Sequence, residues 1–484
     1  MDDRFLETYR YRNPPYAHQQ AYLQRFWERP VAALFADMGT GKSYMLINNI
    51  AMLYDVGHIN AAVIVAPKGV YRNWVQIEIP KHMPDHVIYR LAIWSPSPKK
   101  AEKQALDALF DCTEDLKIFV INVEALSTKR GTDFTRKFLS CHNPLLAVDE
   151  STTIKSPTAQ RAKNIVKIGK NADYRRIMTG SPITRNPLDL FQQCYFLHPS
   201  CLDVDSYYAF QNRYAVVVER TLGSHSFRQV VGYRRLDELT QKLANFSFRV
   251  TKEECLDLPE KVFVRRDVEL TEEQWDAYRQ MTNLALAQLS KGVATTVNVL
   301  TQMMRLHQIV CGFIKLDNGE IQELPSHRIN ELLSVVEEAN GKIIIWATYR
   351  HDIEKIQLAL QKLYGMDSVG TYYGDTHVDV RQEVIERFQN PDDKMRFFIG
   401  NPATGGYGIT LTAANTVIYY SNSFDLEKRL QSEDRAHRIG QKKNVTYVDL
   451  IANNTIDEKI VKALRDKIDI ATQVLGEEAK QWLI

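Results

Sequence analysis

The sequence contains no hydrophobic run long enough to cross a membrane. A membrane-spanning helix needs about 20 predominantly apolar residues, and every apolar run here is interrupted well before that length. The first residues, Met1-Asp2-Asp3-Arg4, are acidic and polar, whereas a secretion signal has basic residues followed by an apolar stretch. We therefore expect no membrane attachment and an intracellular, cytoplasmic location.

Cysteine is scarce and scattered. The 484 residues include six cysteines, and no two of them form a C-x-x-C pair. A disulfide framework and a zinc site built on paired cysteines are therefore not expected. The cysteine usage suits a reducing compartment.

The chain also lacks a strong charge of either sign. Its 61 Lys and Arg residues nearly balance its 59 Asp and Glu residues, which gives a formal net charge of +2. A strongly basic overall field, of the kind that attracts nucleic acid, is therefore missing. Any contact with nucleic acid has to come from a local groove, and composition alone leaves the function open.

What the chain does have is a regular alternation of apolar strands with helix-forming stretches. Its length and its 44% hydrophobic content indicate a globular protein of two or three domains. The alternation runs through roughly the first 200 residues and is typical of a parallel sheet with helices on both faces. The predicted strands are Val31–Phe35, Ala62–Ala66, Lys117–Asn122, Leu145–Val148 and Arg176–Met178.

The same alternation returns in the last third of the chain. Between the two regions lie more charged, helix-forming residues, where Thr271-Glu272-Glu273-Gln274 has the pattern of a helix capping box. We predict an α/β protein with two doubly wound parallel-sheet lobes and a helical insertion between them, divided into domains 1–200, 201–330 and 331–484. The strands predicted for the second lobe are Lys342–Trp346, Arg396–Gly400, Thr416–Tyr420 and Thr446–Ile451.

A glycine loop follows the first predicted strand. Strand, glycine loop and helix in this order form a phosphate-binding loop, because backbone N–H groups and the helix N-terminus then point at one anion. Ala36 stands where the usual pattern has its first glycine. We predict that a nucleotide's phosphates and a magnesium ion are bound here, the ion by Ser43 and the phosphates by Met38, Gly39, Thr40, Gly41, Lys42 and Ser43.

A pair of carboxylates follows the predicted strand Leu145–Val148. Carboxylates at the end of a parallel strand lie at the same edge of the sheet as the phosphate loop. Asp149 is therefore predicted to reach the magnesium ion, and Glu150 to orient or deprotonate the attacking water. The alternative is an ordinary solvated acid pair in a turn.

A second polar cluster lies far along the chain. On a helix, Gln431, Arg435 and Arg438 share one face by their i, i+4, i+7 spacing. One amide and two guanidinium groups on that face suit a γ-phosphate, and arginines of this kind accelerate phosphoryl transfer. The alternative is a charged, solvated helix face.

These segments resemble the signature motifs of superfamily-two helicases, and most closely those of the Swi/Snf-type DNA-dependent ATPases. The phosphate loop is similar to motif I, Asp149-Glu150-Ser151-Thr152 to motif II, and the arginine segment to motif VI. The resemblance runs from about Tyr16 to Ile460. It includes Val65-Ala66-Pro67-Lys68 with Asn73-Trp74 (motif Ia), Met178-Thr179-Gly180-Ser181-Pro182-Ile183 (motif III), Ile344-Ile345-Trp346 with Thr348 (motif IV) and Gly405-Gly406-Tyr407-Gly408-Ile409-Thr410-Leu411-Thr412-Ala413-Ala414 (motif V).

The resemblance implies two RecA-like lobes that use ATP and Mg²⁺. It implies that a glutamine ahead of the phosphate loop reads adenine, which is Gln19 or, as the alternative, Gln20. Arg435 and Arg438 would act as catalytic arginines together with Lys42, Asp149 and Glu150. The resemblance further implies nucleotide contacts by Gly408 and Gln431, and coupling of hydrolysis to movement by Thr179, Gly180 and Ser181.

The resemblance also implies a DNA groove lined by motifs Ia, IV and V. Lysines and hydroxyls bind the DNA backbone without reading sequence. The implied phosphate contacts are Lys68, Thr348, Thr404 and Thr410, each of which also suits an ordinary surface or turn position. Trp74 and Trp346 are predicted to be core residues rather than platforms for bases.

Three departures from the family pattern weaken specific roles. Ser151 replaces the more usual third residue of motif II, at a position that often couples hydrolysis to movement. Pro402-Ala403-Thr404 stands where the family usually has a hydroxyl and a basic residue, so that Asn401 or Thr404 has to supply any backbone contact. Ser181 replaces a threonine but keeps the hydroxyl.

The segment between the two lobes favours a particular member of this superfamily. Phe248-Arg249-Val250-Thr251-Lys252, followed by Leu258-Pro259, resembles the connection between the lobes of Swi/Snf proteins. The expected function is therefore an ATP-dependent, monomeric translocase on double-stranded DNA that a protein partner targets. The alternatives are a helicase that separates strands or remodels forks, and a non-catalytic DNA-binding scaffold with a relic motor.

Overall fold

The computed structural model describes residues 3–222, 225–255, 258–290, 296–316, 318–374, 376, 378–405 and 409–475. The chain forms two compact units. Among the described residues, the first unit contains 3–218, 230–255 and 469–475, and the second contains 219–222, 225–229 and the described part of 258–468. Each unit contains one large parallel sheet.

The sheet of the first unit has seven strands in the order β3-β4-β2-β5-β6-β1-β9, and all its pairings are parallel. The strands β7 and β8 form a separate two-stranded sheet. The strands up to residue 250 are β1 (Val31–Ala36), β2 (Ala61–Ala66), β3 (Tyr89–Ile93), β4 (Leu116–Asn122), β5 (Pro144–Asp149), β6 (Tyr174–Thr179), β7 (Ala215–Leu222), β8 (His225–Tyr233) and β9 (Ser247–Val250).

Helices cover both faces of this first sheet. In β2, for example, Val63 and Val65 pack into one core while Ala62 and Ile64 pack into the other. A strand that is buried on both faces needs a continuous apolar run, which is why β2 reads Ala-Ala-Val-Ile-Val-Ala. The helices are α1 (Asp3–Thr8), α2 (Ala17–Phe26), α3 (Lys42–Asp55), α4 (Tyr71–Asn73), α5 (Ile79–His82), α6 (Lys100–Ala108), α7 (Lys129–Cys141), α8 (Gln160–Gly169), α9 (Leu190–Leu197), α10 (Tyr207–Tyr214), α11 (Leu236–Ala244) and α12 (Lys252–Cys255).

The sheet of the second unit has six parallel strands in the order β10-β17-β16-β13-β15-β14. The strands β11 and β12 come between β10 and β13 in the chain and form a separate antiparallel pair. The strands are β10 (Lys261–Val268), β11 (Phe313–Lys315), β12 (Ile321–Glu323), β13 (Lys342–Trp346), β14 (Val369–Tyr372), β15 (Phe397–Gly400), β16 (Ala414–Tyr419) and β17 (Val445–Ala452).

The second sheet is also buried on both faces, with Ile343 and Ile345 in one core and Ile344 and Trp346 in the other. The predicted capping box is present at the start of α13, where Thr271 and Gln274 each donate a backbone N–H to the other's side chain, both at 3.2 Å. The helices are α13 (Glu272–Ser290), α14 (Thr296–Cys311), α15 (Arg328–Glu338), α16 (Arg350–Tyr364), α17 (Val378–Gln389), α18 (Pro402–Gly405), α19 (Leu426–Glu433) and α20 (Ile456–Leu475).

All nine predicted strands are present, and the α/β fold class with two parallel-sheet lobes is confirmed. Residues 201–330, predicted as a helical region, contain α10–α14 and also the six strands β7–β12. Two of these strands extend the large sheets, because β9 pairs with β1 and β10 pairs with β17. Within the part of the chain that the structure describes, no helix is both long and apolar enough to span a membrane.

Candidate functional site

The phosphate loop connects β1 to α3 in the first unit. Gly39 and Gly41 have φ angles of 86° and 88°, in the left-handed region that favours glycine. Gly41 is the N-cap of α3 and has no side chain with which to cap the helix. The backbone N–H groups of the first turn, where Ser43 lies, are therefore available to an anion.

Lys42 is folded back over this loop. Its Nζ donates to the carbonyl oxygens of Ala36, at 2.8 Å, and Asp37, at 3.4 Å. The Thr40 hydroxyl donates to the Asp37 carbonyl at 2.8 Å and closes the loop from the other side. The ammonium group therefore lies within reach of the loop's interior, where the phosphates of a nucleotide carry their charge.

Gln19 lies against the phosphate loop, whereas Gln20 is exposed. The Gln19 Nε2 donates to the Thr40 carbonyl at 3.2 Å, and its Oε1 accepts the Tyr16 backbone N–H at 3.0 Å. A Cβ atom built on Gly41 would lie 2.2 Å from Gln19 Nε2. The glycine at position 41 is thus required by the glutamine as well as by the loop, and geometry favours Gln19 over Gln20 as the residue beside the nucleotide.

Asp149 ends β5 with both carboxylate oxygens engaged. Oδ2 accepts the indole N–H of Trp74 at 2.9 Å, and Oδ1 accepts the backbone N–H of Glu150 at 3.0 Å. Removal from water raises the pKa of the Asp149 carboxyl, against the opposing effects of the Trp74 hydrogen bond and the positive charge of Lys42. The charge of Lys42 therefore acts on Asp149, as expected for two groups of one site.

Glu150 is held in an unusual backbone conformation. Its φ of 47° and ψ of 63° place a non-glycine residue in the left-handed region, just after the end of β5. Its Oε2 accepts the Thr179 hydroxyl at 3.0 Å, and that hydroxyl in turn accepts the Ser181 backbone N–H at 3.2 Å. Backbone strain of about 1–3 kcal/mol at one residue is characteristic of functional sites. The buried Glu150 is thus fixed by motif III.

The sheet order explains why these three motifs meet. β6 lies between β1 and β5, so the carboxyl ends of the three parallel strands are neighbours. Gly180 follows β6, and a Cβ atom on it would be in contact, at 3.5 Å, with the backbone of Ala36, Asp37 and Met38. The first unit therefore brings Gln19, the phosphate loop, Asp149, Glu150 and Thr179 together at one edge, as a phosphate-binding site requires.

Two residues at this edge are not found by reading the sequence for phosphate ligands. Gln193 on α9 is completely buried; it accepts the Ser151 hydroxyl at 2.7 Å and donates to the Pro182 carbonyl at 2.8 Å. Gln193 therefore connects motif II to motif III through the atypical Ser151. Arg249 on β9 binds Asp37 Oδ1 and the Gly180 carbonyl, both at 3.1 Å. The only signal for Arg249 is its place in the Swi/Snf-like segment.

The prediction that Arg435 and Arg438 lie on a helix with Gln431 is wrong. α19 ends at Glu433, and the chain continues through turns up to Gly440, whose φ is 103°. The Glu433 carbonyl still accepts the His437 backbone N–H at 3.3 Å, as in a helix, and it also accepts the Tyr447 hydroxyl at 2.8 Å. Likewise, the Leu411 backbone N–H donates to the Arg435 carbonyl at 2.9 Å.

The two arginines have different surroundings. Arg435 is 2% exposed, and its guanidinium donates to the carbonyl oxygens of Gln431 and Ile409, both at 3.0 Å. Arg438 is partly exposed and donates to the Thr410 hydroxyl at 3.2 Å. Gln431 is itself buried, and its Nε2 donates to Glu427 Oε1 at 3.3 Å. The second unit thus brings motif V and motif VI together, with Arg438 at their surface.

The remaining predicted contacts are spread over both units. Lys68 follows β2 and is exposed. Thr348 follows β13, and its hydroxyl donates to the Ser421 carbonyl at 3.2 Å. Thr404 lies partly exposed on the short helix α18, next to Asn401, which donates to the Thr348 carbonyl at 2.7 Å. Gly408 lies outside the described residues.

The residues present fit a magnesium nucleotide. Ser43 and Asp149 offer oxygen atoms, the ligand type that Mg²⁺ prefers, and Mg²⁺ commonly takes its remaining ligands from phosphates and water. Among the residues that the structure describes, no group of three or more His, Cys, Asp and Glu side chains could hold a metal ion by itself. A magnesium ion here would therefore depend on the nucleotide that it accompanies.

The loop, the carboxylate pair and the two parallel sheets define a P-loop nucleotide-binding protein with two RecA-like lobes. The model of the SNF2-related domain matches residues 18–313, and that of the Helicase conserved C-terminal domain matches residues 326–440. The chain belongs to the SNF2-related family.

Individual relatives are distant but cover nearly the whole chain. ATP-dependent helicase fft3 of Schizosaccharomyces pombe is 24% identical over 94% of this chain and 56% of its own length. The putative ATP-dependent helicase/translocase YwqA of Bacillus subtilis is 25% identical over 93% of this chain and 47% of its own. The chain thus spans about half the length of these relatives.

A solved structure titled as the SWI2/SNF2 ATPase core of Sulfolobus solfataricus in complex with dsDNA is 23% identical. The match covers 96% of this chain and 94% of the other, with a TM-score of 0.43.

Proposed function

We propose that this protein is an ATP-dependent motor that moves along double-stranded DNA. The observation that carries the proposal is the meeting of the phosphate loop, Asp149, Glu150 and Thr179 at one sheet edge in a chain of the SNF2-related family. The Swi/Snf-like segment around Arg249, which contacts Asp37 of the loop, favours translocation on duplex DNA over strand separation.

In the proposed reaction the first unit binds ATP and prepares the attacking water. The loop N–H groups and Lys42 bind the phosphates, and Gln19 reads the adenine. Ser43 and Asp149 would hold Mg²⁺, which would supply positive charge to offset that of the phosphates. Glu150 orients the water, because its carboxylate is fixed by Thr179 at 3.0 Å and by its own strained backbone.

The second unit supplies the arginine that completes the reaction. Of the two candidates, Arg438 is the partly exposed one, and its guanidinium donates to the Thr410 hydroxyl, so it is the arginine that we propose turns toward the γ-phosphate. Arg435 donates to the carbonyl of Ile409 in motif V, and the next residue, Thr410, binds Arg438. Arg435 thus stabilises the segment that positions Arg438. Closure and opening of the units once per ATP would then move the bound DNA.

DNA is contacted through its backbone in this proposal. Lys68 offers an exposed charge, and Thr404 and Thr410 offer partly exposed hydroxyls in the segment between β15 and β16. The Thr348 hydroxyl donates its proton to the Ser421 carbonyl. We therefore propose that Thr348 shapes the DNA groove and does not itself donate to a phosphate. The motor acts as a monomer inside the cell, where a protein partner directs it to its DNA.

The test is an ATPase assay with duplex, single-stranded and forked DNA, combined with triplex displacement and strand displacement. Duplex DNA is expected to stimulate hydrolysis most, and the motor is expected to displace a triplex strand without separating the duplex. Lys42→Ala is expected to abolish the stimulated hydrolysis, because the ammonium group that neutralises the phosphates is lost. Efficient unwinding of a simple fork, or full activity of K42A, would refute the proposal.

A further inference from the structure

Among the described hydrogen bonds, Trp74 of motif Ia is the one side chain that donates to Asp149. Its Nε1–H donates to Asp149 Oδ2 at 2.9 Å, while the other oxygen accepts the Glu150 N–H. Both oxygens of the carboxylate are thereby fixed in direction. A carboxylate held at both oxygens has one orientation, whereas an unsupported one rotates about its χ2 bond.

The local backbone explains how the indole reaches this carboxylate. Trp74 begins a π-helical turn, Trp74–Glu78, inserted between α4 and α5. A π turn shifts the residues that follow it around the helix axis, and such turns are frequent at functional sites. The ring is 2% exposed and packs in the same core as Tyr71 and Ile79, so that its N–H has little freedom to point elsewhere.

An ordinary buried tryptophan does not require such a bond in this protein. Trp346 is fully buried in the second unit, and its Nε1 has no hydrogen-bond partner among the residues that the structure describes. Burial of an indole is therefore tolerated here without satisfying its N–H. The bond from Trp74 to Asp149 needs another reason than the burial of the ring.

We propose that Trp74 is the positioning residue of the magnesium carboxylate. This inference rests on the proposed function, since it takes Asp149 as a ligand of the Mg²⁺ that accompanies ATP. The indole N–H occupies one side of Oδ2 and so fixes the direction of the remaining lone pairs of Asp149. Partners that orient a metal ligand in this way typically contribute about 10–100-fold to metal affinity.

The test compares Trp74→Phe with Trp346→Phe in the full chain. Both substitutions shrink a buried indole, but only the first removes a hydrogen bond to Asp149. ADP binding is measured by calorimetry without Mg²⁺, and then as a function of Mg²⁺ concentration. W74F is expected to need about 10–100-fold more Mg²⁺ for half-maximal tightening of ADP binding, with its metal-free ADP affinity unchanged. W346F is expected to match the wild-type protein in both measurements.

Two results would overturn the inference. One is an unchanged Mg²⁺ requirement in W74F, and the other is an equal loss of ADP affinity with and without Mg²⁺, which would indicate a packing role alone. If W74F does not reach the wild-type melting temperature, the benzothiophene analogue of tryptophan at position 74 keeps the bicyclic shape and lacks only the N–H. A protein that shows this Mg²⁺ dependence but no stimulation by duplex DNA would refute the proposed function and leave the role of Trp74 intact.

Discussion

A single buried carboxylate, Asp352, makes the stability of the second unit sensitive to pH. It lies in the first turn of α16 and is fully buried, and neither oxygen forms a hydrogen bond of normal geometry with a described residue. Burial raises the pKa of Asp352 to about 7, although the charges of Arg328 and Lys355 act in the opposite direction. The folded protein thus keeps this carboxyl neutral at pH values where the unfolded chain ionises it.

The direction of the effect follows from proton linkage. Between the ordinary carboxyl pKa and about 7, the unfolded state releases a proton that the folded state retains, so stability falls as pH rises. We expect the free energy of unfolding to drop by about 2 kcal/mol from this group between pH 5 and pH 8. Asp352→Asn should remove this part of the pH dependence, as measured by urea unfolding across the series.

Asp367→Asn is the matched control for Asp352→Asn, because Asp367 is exposed. It should leave the pH dependence of unfolding as in the wild-type protein. If D352N and the wild-type protein show the same pH dependence of unfolding, Asp352 is not the source of that dependence.

Gly41 offers a second test at the level of one residue. An alanine at position 41 would place its Cβ 2.2 Å from Gln19 Nε2, in addition to the strain of a φ of 88°. We expect G41A to displace Gln19 from the Thr40 carbonyl and to weaken ATP binding, together with the preference for ATP over GTP. Fluorescence titration with labelled nucleotides measures both effects.

Gly57 is the matched position for this test. Its φ is +73°, but no atom lies within 4 Å of a Cβ built there. G57A therefore carries the backbone strain, about 1 kcal/mol, without a steric conflict. It should lower stability slightly and leave nucleotide binding intact. Equal loss of ATP binding in G41A and G57A would show that backbone strain, and not Gln19, is responsible.

At the scale of elements, the turn segment 434–441 contains both the buried Arg435 and the partly exposed Arg438, for which we propose a structural and a catalytic role respectively. Arg435 is buried with its guanidinium on two carbonyl oxygens, and its loss leaves those acceptors unpaired. We expect R435A to cost about 2–4 kcal/mol of stability. R438A should leave the melting temperature unchanged and lower kcat by about 10³-fold, as the loss of an arginine finger does.

Calorimetric melting and steady-state ATPase measurements distinguish the two arginine variants. Arg438→Lys serves as the conservative control, since a lysine keeps the charge but not the forked geometry, and should recover part of the rate. A stable R435A protein would contradict the structural role of Arg435, and a fully active R438A protein would contradict the catalytic role of Arg438.

The elements also mark how far the sequence predicts this structure. Most of the nine predicted strands were identifiable because they are short, largely apolar runs that are buried on both faces. β9 and β10 were not, since β9 has four residues and the edge strand β10 contains Lys261, Arg265, Arg266 and Asp267. The arginine segment has helical spacing, but the helix ends at Glu433, and the carbonyls of Glu433 and Arg435 accept hydrogen bonds from Tyr447 and Leu411, which are distant in sequence.

The candidate site divides in the same way. Lys42, Asp149 and Glu150 could be predicted because the phosphate loop follows β1 and the carboxylate pair lies at the end of β5, and the sheet then brings them together. Trp74 and Gln193 lie on helical segments outside the phosphate loop and the carboxylate pair. No local sequence pattern indicates that they bind Asp149 and Ser151. Contacts of this kind depend on packing in three dimensions, which a linear motif does not contain.

At the scale of the whole molecule, a net charge of +2 restricts how the proposed motor would bind DNA. A nearly neutral chain has no general attraction for DNA, so that a small number of local phosphate contacts must supply the affinity. Each such contact releases counterions, and the dependence of log K on log salt has a slope of about −0.9 per contact. We therefore expect a shallow salt dependence for duplex DNA.

Lys68→Gln tests one of these contacts within the whole protein. Removal of one phosphate contact should weaken DNA binding equally for all sequences and reduce the salt slope by about 1. Lys170→Gln is the control, because Lys170 is equally exposed but lies at the end of α8, which carries no proposed DNA contact. Fluorescence anisotropy with duplexes of different sequence, at several salt concentrations, measures both slopes. An unchanged slope in K68Q would remove Lys68 from the DNA surface, whereas an equal change in K170Q would indicate a diffuse electrostatic attraction in place of a defined groove.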